Sequence, residues 1–234
     1  RPWPRLTLDQ MELHMASQAS LSLAQSLYVA YYGRPADPEG LEFWATVLDD
    51  KTVDIKVMPT DFGNSPEYTS RFGNLTSEQL VNNLYQQMFG RSAEPEGRDF
   101  WVGVLARGER NLAEIADSIR SLASPKDKEV LDARTKLADA FTEQLDTNEE
   151  LQAYGTDRGL NIGRDYLNQV TQANASNPPI DKVVDVVATL LPTDNGGGTG
   201  GGGGGGVTPP PAKTFLLNID GEQLSFGGTA TGAI

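Results

Sequence analysis

Two short stretches hold the side chains of this sequence best suited to chemistry. Tyr32, Arg34, Asp37 and Glu39 cluster in the first, and Arg91, Glu94 and Glu96 in the second. Carboxylate oxygens gathered in a loop are the usual ligands of calcium, which makes Asp37, Glu39, Glu94 and Glu96 candidate metal ligands, although neither loop has the ligand density of an EF-hand. A guanidinium beside an aromatic ring suits a hydroxylated or anionic glycan, so Tyr32, Arg34 and Arg91 are candidate glycan contacts. Each reading has a plainer rival. Acids just before or inside the first turn of a helix cap it and favour its dipole, and a loop arginine ties the loop to a carbonyl or a nearby carboxylate. The aromatic residues Trp44, Trp101, Tyr31 and Phe89 recur at helical spacing, which assigns them to the core rather than to a sugar platform.

Other chemistry is excluded by what the sequence lacks. There is no cysteine, and the single histidine is His14, so after Met15 neither a Ser-His-Asp or Cys-His arrangement nor a histidine-ligated zinc is available. The glycine run lacks the Lys-Ser/Thr of a phosphate loop. Acidic pairs such as Glu149-Glu150 are expected to be solvated surface rather than glycosidase carboxylates. No catalytic residue is assigned, and the chain is read as a non-enzyme. Its 32 acidic and 19 basic residues give a formal net charge of -13, the opposite of a nucleic-acid-binding face. No apolar run approaches the length of a membrane span.

The elements that position the two loops are written twice. Leu27 to Leu48 reads LYVAYYGRPADPEGLEFWATVL and Leu84 to Leu105 reads LYQQMFGRSAEPEGRDFWVGVL, with twelve identities in 22 positions at a constant offset of 57. Leu23, Leu27, Tyr28 and Tyr31, and then Leu80, Leu84, Met88 and Phe89, predict an amphipathic helix in each copy. Gly33 and Gly90 stand where a left-handed C-terminal cap ends it. Asp37-Pro38 then predicts an N-cap and a first helical proline, restarting a helix that carries Phe43, Trp44 and Leu48. Glu94 before Pro95 is a poorer cap, so its carboxylate is weakly used there or has another task.

The pattern of Leu-Tyr, Gly-Arg, Pro-Glu-Gly and Phe-Trp, with Ser65-Pro66-Glu67-Tyr68 and Asn74-Leu75-Thr76 between the copies, resembles a small repeated helical domain of unassigned function found in bacterial surface-layer proteins and haemolysin-type calcium-repeat proteins. The resemblance covers roughly Leu21 to Ser124, and there is some likeness to the helical linker repeats of phycobilisomes. It implies an extracellular protein of the bacterial cell surface, exported by type I secretion with no cleaved N-terminal signal. It also implies calcium as cofactor and lipopolysaccharide or another surface polysaccharide as partner, with self-association as in a lattice. The function expected on this basis is a non-enzymatic module that anchors a surface-layer or adhesin-like chain. The alternatives are a protein-protein scaffold or linker domain and, more weakly, an accessory domain of a secreted glycan-processing enzyme.

The organisation expected is an all-α N-terminal domain on two tandem helical repeats, then a Gly/Pro-rich linker and the start of a β module. Residues 1–14 match neither copy, and Met15-Ala16-Ser17 reads as a native start, so 1–14 is expected to be an extension added in cloning or gene prediction. The helical domain is placed at 15–192, with repeats at about 21–72 and 75–124 and further helices over 125–192. Leu112, Ile115, Ala116 and Ile119 continue the second repeat, and Val130, Leu137, Phe141 and Leu145 mark one face of a longer helix. A further helix is expected over Tyr154 to Val170, and another over Ile180 to Leu191 with Val183, Val184, Val187 and Leu190 as its apolar stripe. The linker is 193–213, where Gly196 to Gly206 is glycine except for Thr199 and Pro209 to Pro211 follows. Over 214–234, Thr214 to Ile219 and Glu222 to Phe226 predict a hairpin with Asp220-Gly221 at its turn. A β module that has only begun at Ile234 suggests the N-terminal piece of a longer protein.

Overall fold

The computed structural model describes residues 16–50, 58, 61–62, 65–192 and the two strands 215–219 and 222–226. They fall into two units that divide between Thr193 and Asp194. Among the described residues the first unit holds helices and no strand. Its elements are α1 (Gln18–Tyr32), α2 (Pro38–Asp49), α3 (Pro66–Phe72), α4 (Ser77–Phe89), α5 (Pro95–Ala106), α6 (Leu112–Ser121), α7 (Pro125–Gln144), α8 (Asn148–Tyr154) and α9 (Asp157–Asn168). A 3-10 turn (Ile180–Lys182) then leads into α10 (Val183–Ala188). None of these helices is long and apolar enough to cross a membrane.

Local sequence sets most of these boundaries. Ser17, Asp37, Ser65, Thr76, Asn111, Ser124, Thr147 and Thr156 each cap a helix by accepting a backbone N–H with the side chain. Proline follows the cap directly in α2, α3, α5 and α7, where the missing N–H costs nothing. Helices α1 and α4 stop at Gly33 and Gly90, whose φ angles of 64° and 67° are open to glycine at little cost.

Helix α1 is the centre of the unit and packs on α2, α4, α6 and α7, while α7 also packs on α4, α9 and α10. Leu27, Tyr31, Leu84, Met88, Ile115, Leu137 and Phe141 meet in the interior, all at 2 % exposure or less. The largest side chain buried to that degree is Arg134 of α7. Its guanidinium meets no carboxylate among the described residues. It donates to the carbonyls of Gln86 (2.7 Å) and Gln87 (2.6 Å) near the end of α4, and to that of Val170 (2.9 Å from Nη2) just past α9. Burial draws its pKa down to about 10, which still leaves it charged at neutral pH.

Two expected helices differ in detail. The segment expected over Tyr154 to Val170 begins only at Asp157, because Gly155 ends α8 and Thr156 starts a new cap. In the last helix Val187 and Leu190 are buried but Val184 is 57 % exposed, so the apolar stripe is narrower than its valines suggest. The second unit contains β1 (Phe215–Ile219) paired antiparallel with β2 (Glu222–Phe226), Phe215 opposite Phe226 and Ile219 opposite Glu222. The expected turn at Asp220-Gly221, the 1–14 extension and the 193–213 linker lie outside the described residues.

Candidate functional site

Both loops are built around an arginine that reads its surroundings with the whole guanidinium. Arg34 donates from Nε to Glu67 Oε1 (2.9 Å), from Nη2 to Oε2 (2.7 Å) and from Nη1 to the Pro35 carbonyl (2.8 Å). Arg91 donates from Nε and Nη2 to the two oxygens of Asp127 (2.8 Å each) and from Nη1 to the Ser92 carbonyl (3.0 Å). Such bidentate forks are the strongest arginine pairs and fix the plane of the group. The acids that complete them open helices α3 and α7, close behind the caps Ser65 and Ser124.

The correspondence extends beyond the arginines. Ala36 N–H donates to Gln25 Oε1 at 3.0 Å, and Ala93 N–H, 57 residues on, to Asn82 Oδ1 at 3.1 Å. Arg34 lies 5.2 and 5.0 Å from the ring centres of Tyr28 and Tyr32, and Arg91 lies 5.4 and 5.9 Å from those of Tyr85 and Phe89. Phe43 meets Trp44 edge-on at 5.1 Å, and Phe100 meets Trp101 at 4.9 Å.

The candidate glycan contacts are therefore occupied. Tyr32 is 4 % exposed, packs against Phe62 and donates its hydroxyl to Ser65 Oγ at 2.9 Å, so no ring face is open to a sugar. Arg34 is 5 % exposed. Burial works against its cation, and the fork to Glu67 holds it charged nonetheless. Arg91 is more open, with 27 % of its side chain exposed, but its donors are spent on Asp127, Ser92 and, at 2.8 Å, Glu94. Its pKa is raised chiefly by the bond to Asp127. In turn, Arg91 holds the Asp127 carboxyl below the ordinary aspartate range, against the opposing effect of burial. The tryptophans are core residues, Trp44 at 4 % and Trp101 at 8 % exposure.

The candidate metal ligands do not converge. Asp37 accepts the Gly40 N–H at 2.9 Å as an N-cap. Glu94 makes no side-chain cap bond, and its own backbone N–H together with Arg91 holds its carboxyl below the usual range. Glu39 and Glu96 are exposed on the first turns of α2 and α5. Among the described residues no three acidic or imidazole side chains are grouped to hold a metal ion. A surface groove of about 360 Å³ between α1, α6 and α7, with Ser22, Arg120, Lys128 and Asp132 on its walls, includes none of the seven predicted residues.

Several residues that shape the first loop lie outside it in the sequence. Glu67 also accepts from Arg164 Nη2 at 2.6 Å, and Tyr154 donates its hydroxyl to the Pro35 carbonyl. Arg164 Nε and Arg71 Nη1 both donate to the Tyr32 carbonyl, at 3.3 and 2.8 Å. Gln25 Nε2 donates to Thr142 Oγ1 at 2.9 Å, and Thr142 in turn donates to the Ala36 carbonyl at 2.8 Å. Gln25 and Asn82, polar side chains at the same register inside apolar helical stripes, are the one signal that an offset comparison could have found. No curated protein and no solved structure matches the chain. Residues 60–122, which run from ahead of α3 through the second loop to the end of α6, match the family model described as a domain of unknown function (DUF4214).

Proposed function

We propose that this chain is a non-enzymatic module of a secreted bacterial surface protein, a duplicated helical body that anchors or presents what is joined to it through the glycine-rich linker. The observation that carries this reading is the use made of the two loops. Their arginines are consumed in joining each loop to a later helix through Glu67 and Asp127, and Asp37 and Glu94 are spent within the loops, as a holder requires and a reaction centre does not. The shared contacts at an offset of 57 support descent of the two loop-bearing halves of the helical unit from one repeat, and the paired strands β1 and β2 support a β module beyond the linker.

The partner in this reading is lipopolysaccharide or another surface polysaccharide. A chain of net charge -13 is repelled by an anionic surface unless divalent ions bridge the two, and the exposed Glu39 and Glu96 are the loop carboxylates left to share calcium with it. Calorimetry of the chain against purified lipopolysaccharide, with and without chelator, tests this. Heat that disappears on chelation is expected. No heat in either condition, with self-association of the chain alone, overturns anchoring in favour of the scaffold reading, which the same consumption of the loop side chains also suits.

A further inference from the structure

At the C-terminal end of α1 three arginines meet one carboxylate. Arg34, Arg71 and Arg164 surround one carboxylate, Glu67, and the C-terminal end of α1 at Tyr32. The charges that bear on Arg71 are Arg164 and Arg34, which oppose its cation, and Glu67, which favours it. A helix C-terminus supplies about half a negative charge, which leaves the cluster with a surplus of roughly one and a half positive charges. This surplus sits in a protein whose overall charge is strongly negative.

The surplus is accessible at one point. Arg34 and Arg164 are buried, at 5 % and 8 % exposure, whereas Arg71 is exposed. Arg71 spends Nη1 on the Tyr32 carbonyl, and its Cζ lies 4.6 Å from the centre of the Phe72 ring. Its Nε and Nη2 make no hydrogen bond among the described residues, so the fork that Arg34 closes on Glu67 is open in Arg71. The exposed Asn161 accepts from Arg164 Nη1 at 2.9 Å, and Arg164 shares the Tyr32 carbonyl with Arg71.

We infer that Arg71, backed by Arg164 and Asn161, is a binding site for a phosphate group. An open Nε and Nη2 edge matches two oxygens of a tetrahedral oxyanion. A phosphate monoester carries about -1.5 to -2 at pH 7, which is the charge the cluster lacks. Phosphates of this kind occur free and on the sugars of lipopolysaccharide, and the site is the same for both.

The test is titration with inorganic phosphate in 0.15 M sodium chloride, read by calorimetry and by melting temperature. Saturable binding and a rise in melting temperature are expected for the wild-type chain. Arg71→Gln should weaken binding roughly tenfold or more, and Arg71→Lys should keep part of it. Asn161→Asp places a carboxylate of the protein's own among the cations; it should abolish phosphate binding while raising the melting temperature without phosphate, and it serves if Arg71→Gln fails to fold. No response beyond that to chloride at equal ionic strength, or equal binding by wild type, Arg71→Gln and Asn161→Asp, overturns the inference. Competition by phosphorylated but not dephosphorylated lipopolysaccharide identifies the surface as the source. Phosphate binding without competition identifies free phosphate, so this site can stand where the anchoring reading falls.

Discussion

The two loops share their hydrogen bonds and differ in what lies over them. Around Gly33 to Asp37 the ring of Tyr28 is 3 % exposed, Phe62 packs against Tyr28, Tyr32 and Trp44, and α8 and α9 contribute Tyr154 and Arg164. Around Gly90 to Glu94, Tyr85 is half-buried, Phe100 is 59 % exposed, and Arg91 turns part of its charge toward the surface acid Glu94. Even the glycine of Pro-Glu-Gly follows the difference. A Cβ on Gly40 would lie 2.5 Å from the Tyr28 hydroxyl, and one on Gly97 would lie 3.5 Å from that of Tyr85. One local design is thus used as a buried rivet in one place and a surface clasp in the other, and the same substitution should cost more in the first.

The largest effect is expected at the tryptophans. Trp44→Ala and Trp101→Ala should each lose about 3 to 5 kcal/mol, the range for large core truncations, with Trp44 at the upper end because it also loses Phe62. Denaturant unfolding of both variants checks this; equal losses would erase the contrast, and negligible ones would reopen the platform role.

Removing the acids should divide the loops almost as clearly. Glu67→Gln leaves buried guanidiniums unpaired and should cost about 3 to 5 kcal/mol, whereas Asp127→Asn, beside a more open arginine, should cost less. The pH dependence follows from Asp127, whose folded pKa is depressed. Its contribution is fully present above the ordinary aspartate value of about 3.9 and is lost as pH falls through the depressed one, so Asp127→Asn and wild type should converge in strong acid. Asp139, which is hydrogen-bonded to Gln25, runs in the opposite direction. Burial lifts its pKa to about 6, so its stabilising protonated form is lost as pH rises from about 4 to about 6, and Asp139→Asn should gain stability at pH 7 but little at pH 4. Melting curves across pH 3 to 8 would show both trends.

The glycine pair sharpens the comparison by sign. Gly40→Ala should destabilise by about 1 to 3 kcal/mol, since the packed Tyr28 ring cannot yield. Gly97→Ala should be neutral or stabilising by up to about 1 kcal/mol, because alanine is the better helix former and its methyl finds ordinary contact. A loss at both positions would mean that the second loop is as tight as the first. The smallest contrast lies at the caps: Asp37→Ala should cost about 1 kcal/mol through the lost Gly40 bond, and Glu94→Ala, which removes an exposed ion pair, a few tenths at most. Thermal unfolding in low and high salt separates them, since only the second effect should fade with salt.

Much of this frame was readable in advance, because it rests on local rules. Gly33 and Gly90 had to end helices, Asp37-Pro38 had to start one, and the repeated Trp positions had to face inward. The failure of Glu94 as a cap was foreseeable from its length, and its alternative task is the bond to Arg91. The partners of the arginines were not readable. Glu67 lies 33 residues from Arg34 and Asp127 lies 36 from Arg91, so the acids fall out of the common register and an offset search passes over them. The burial of Arg134 and Arg164 is not written in their helices, since periodicity reports which face is apolar and not which charged residue is drawn beneath it. Tyr32 reads as a surface candidate for the converse reason: its enclosure depends on Phe62 and Ser65, which only folding brings to it.

The guanidinium of Arg134 has a consequence for how the helical unit opens. Because among the described residues it is satisfied only by carbonyls from the end of α4 and from beyond α9, neither segment can swing away without stranding a cation in the interior. Amide hydrogen exchange should therefore show the last turn of α4 and the last turn of α9 opening together, at the free energy of global unfolding, although some eighty residues of chain separate them. In Arg134→Met the two should exchange independently, each at its own lower free energy.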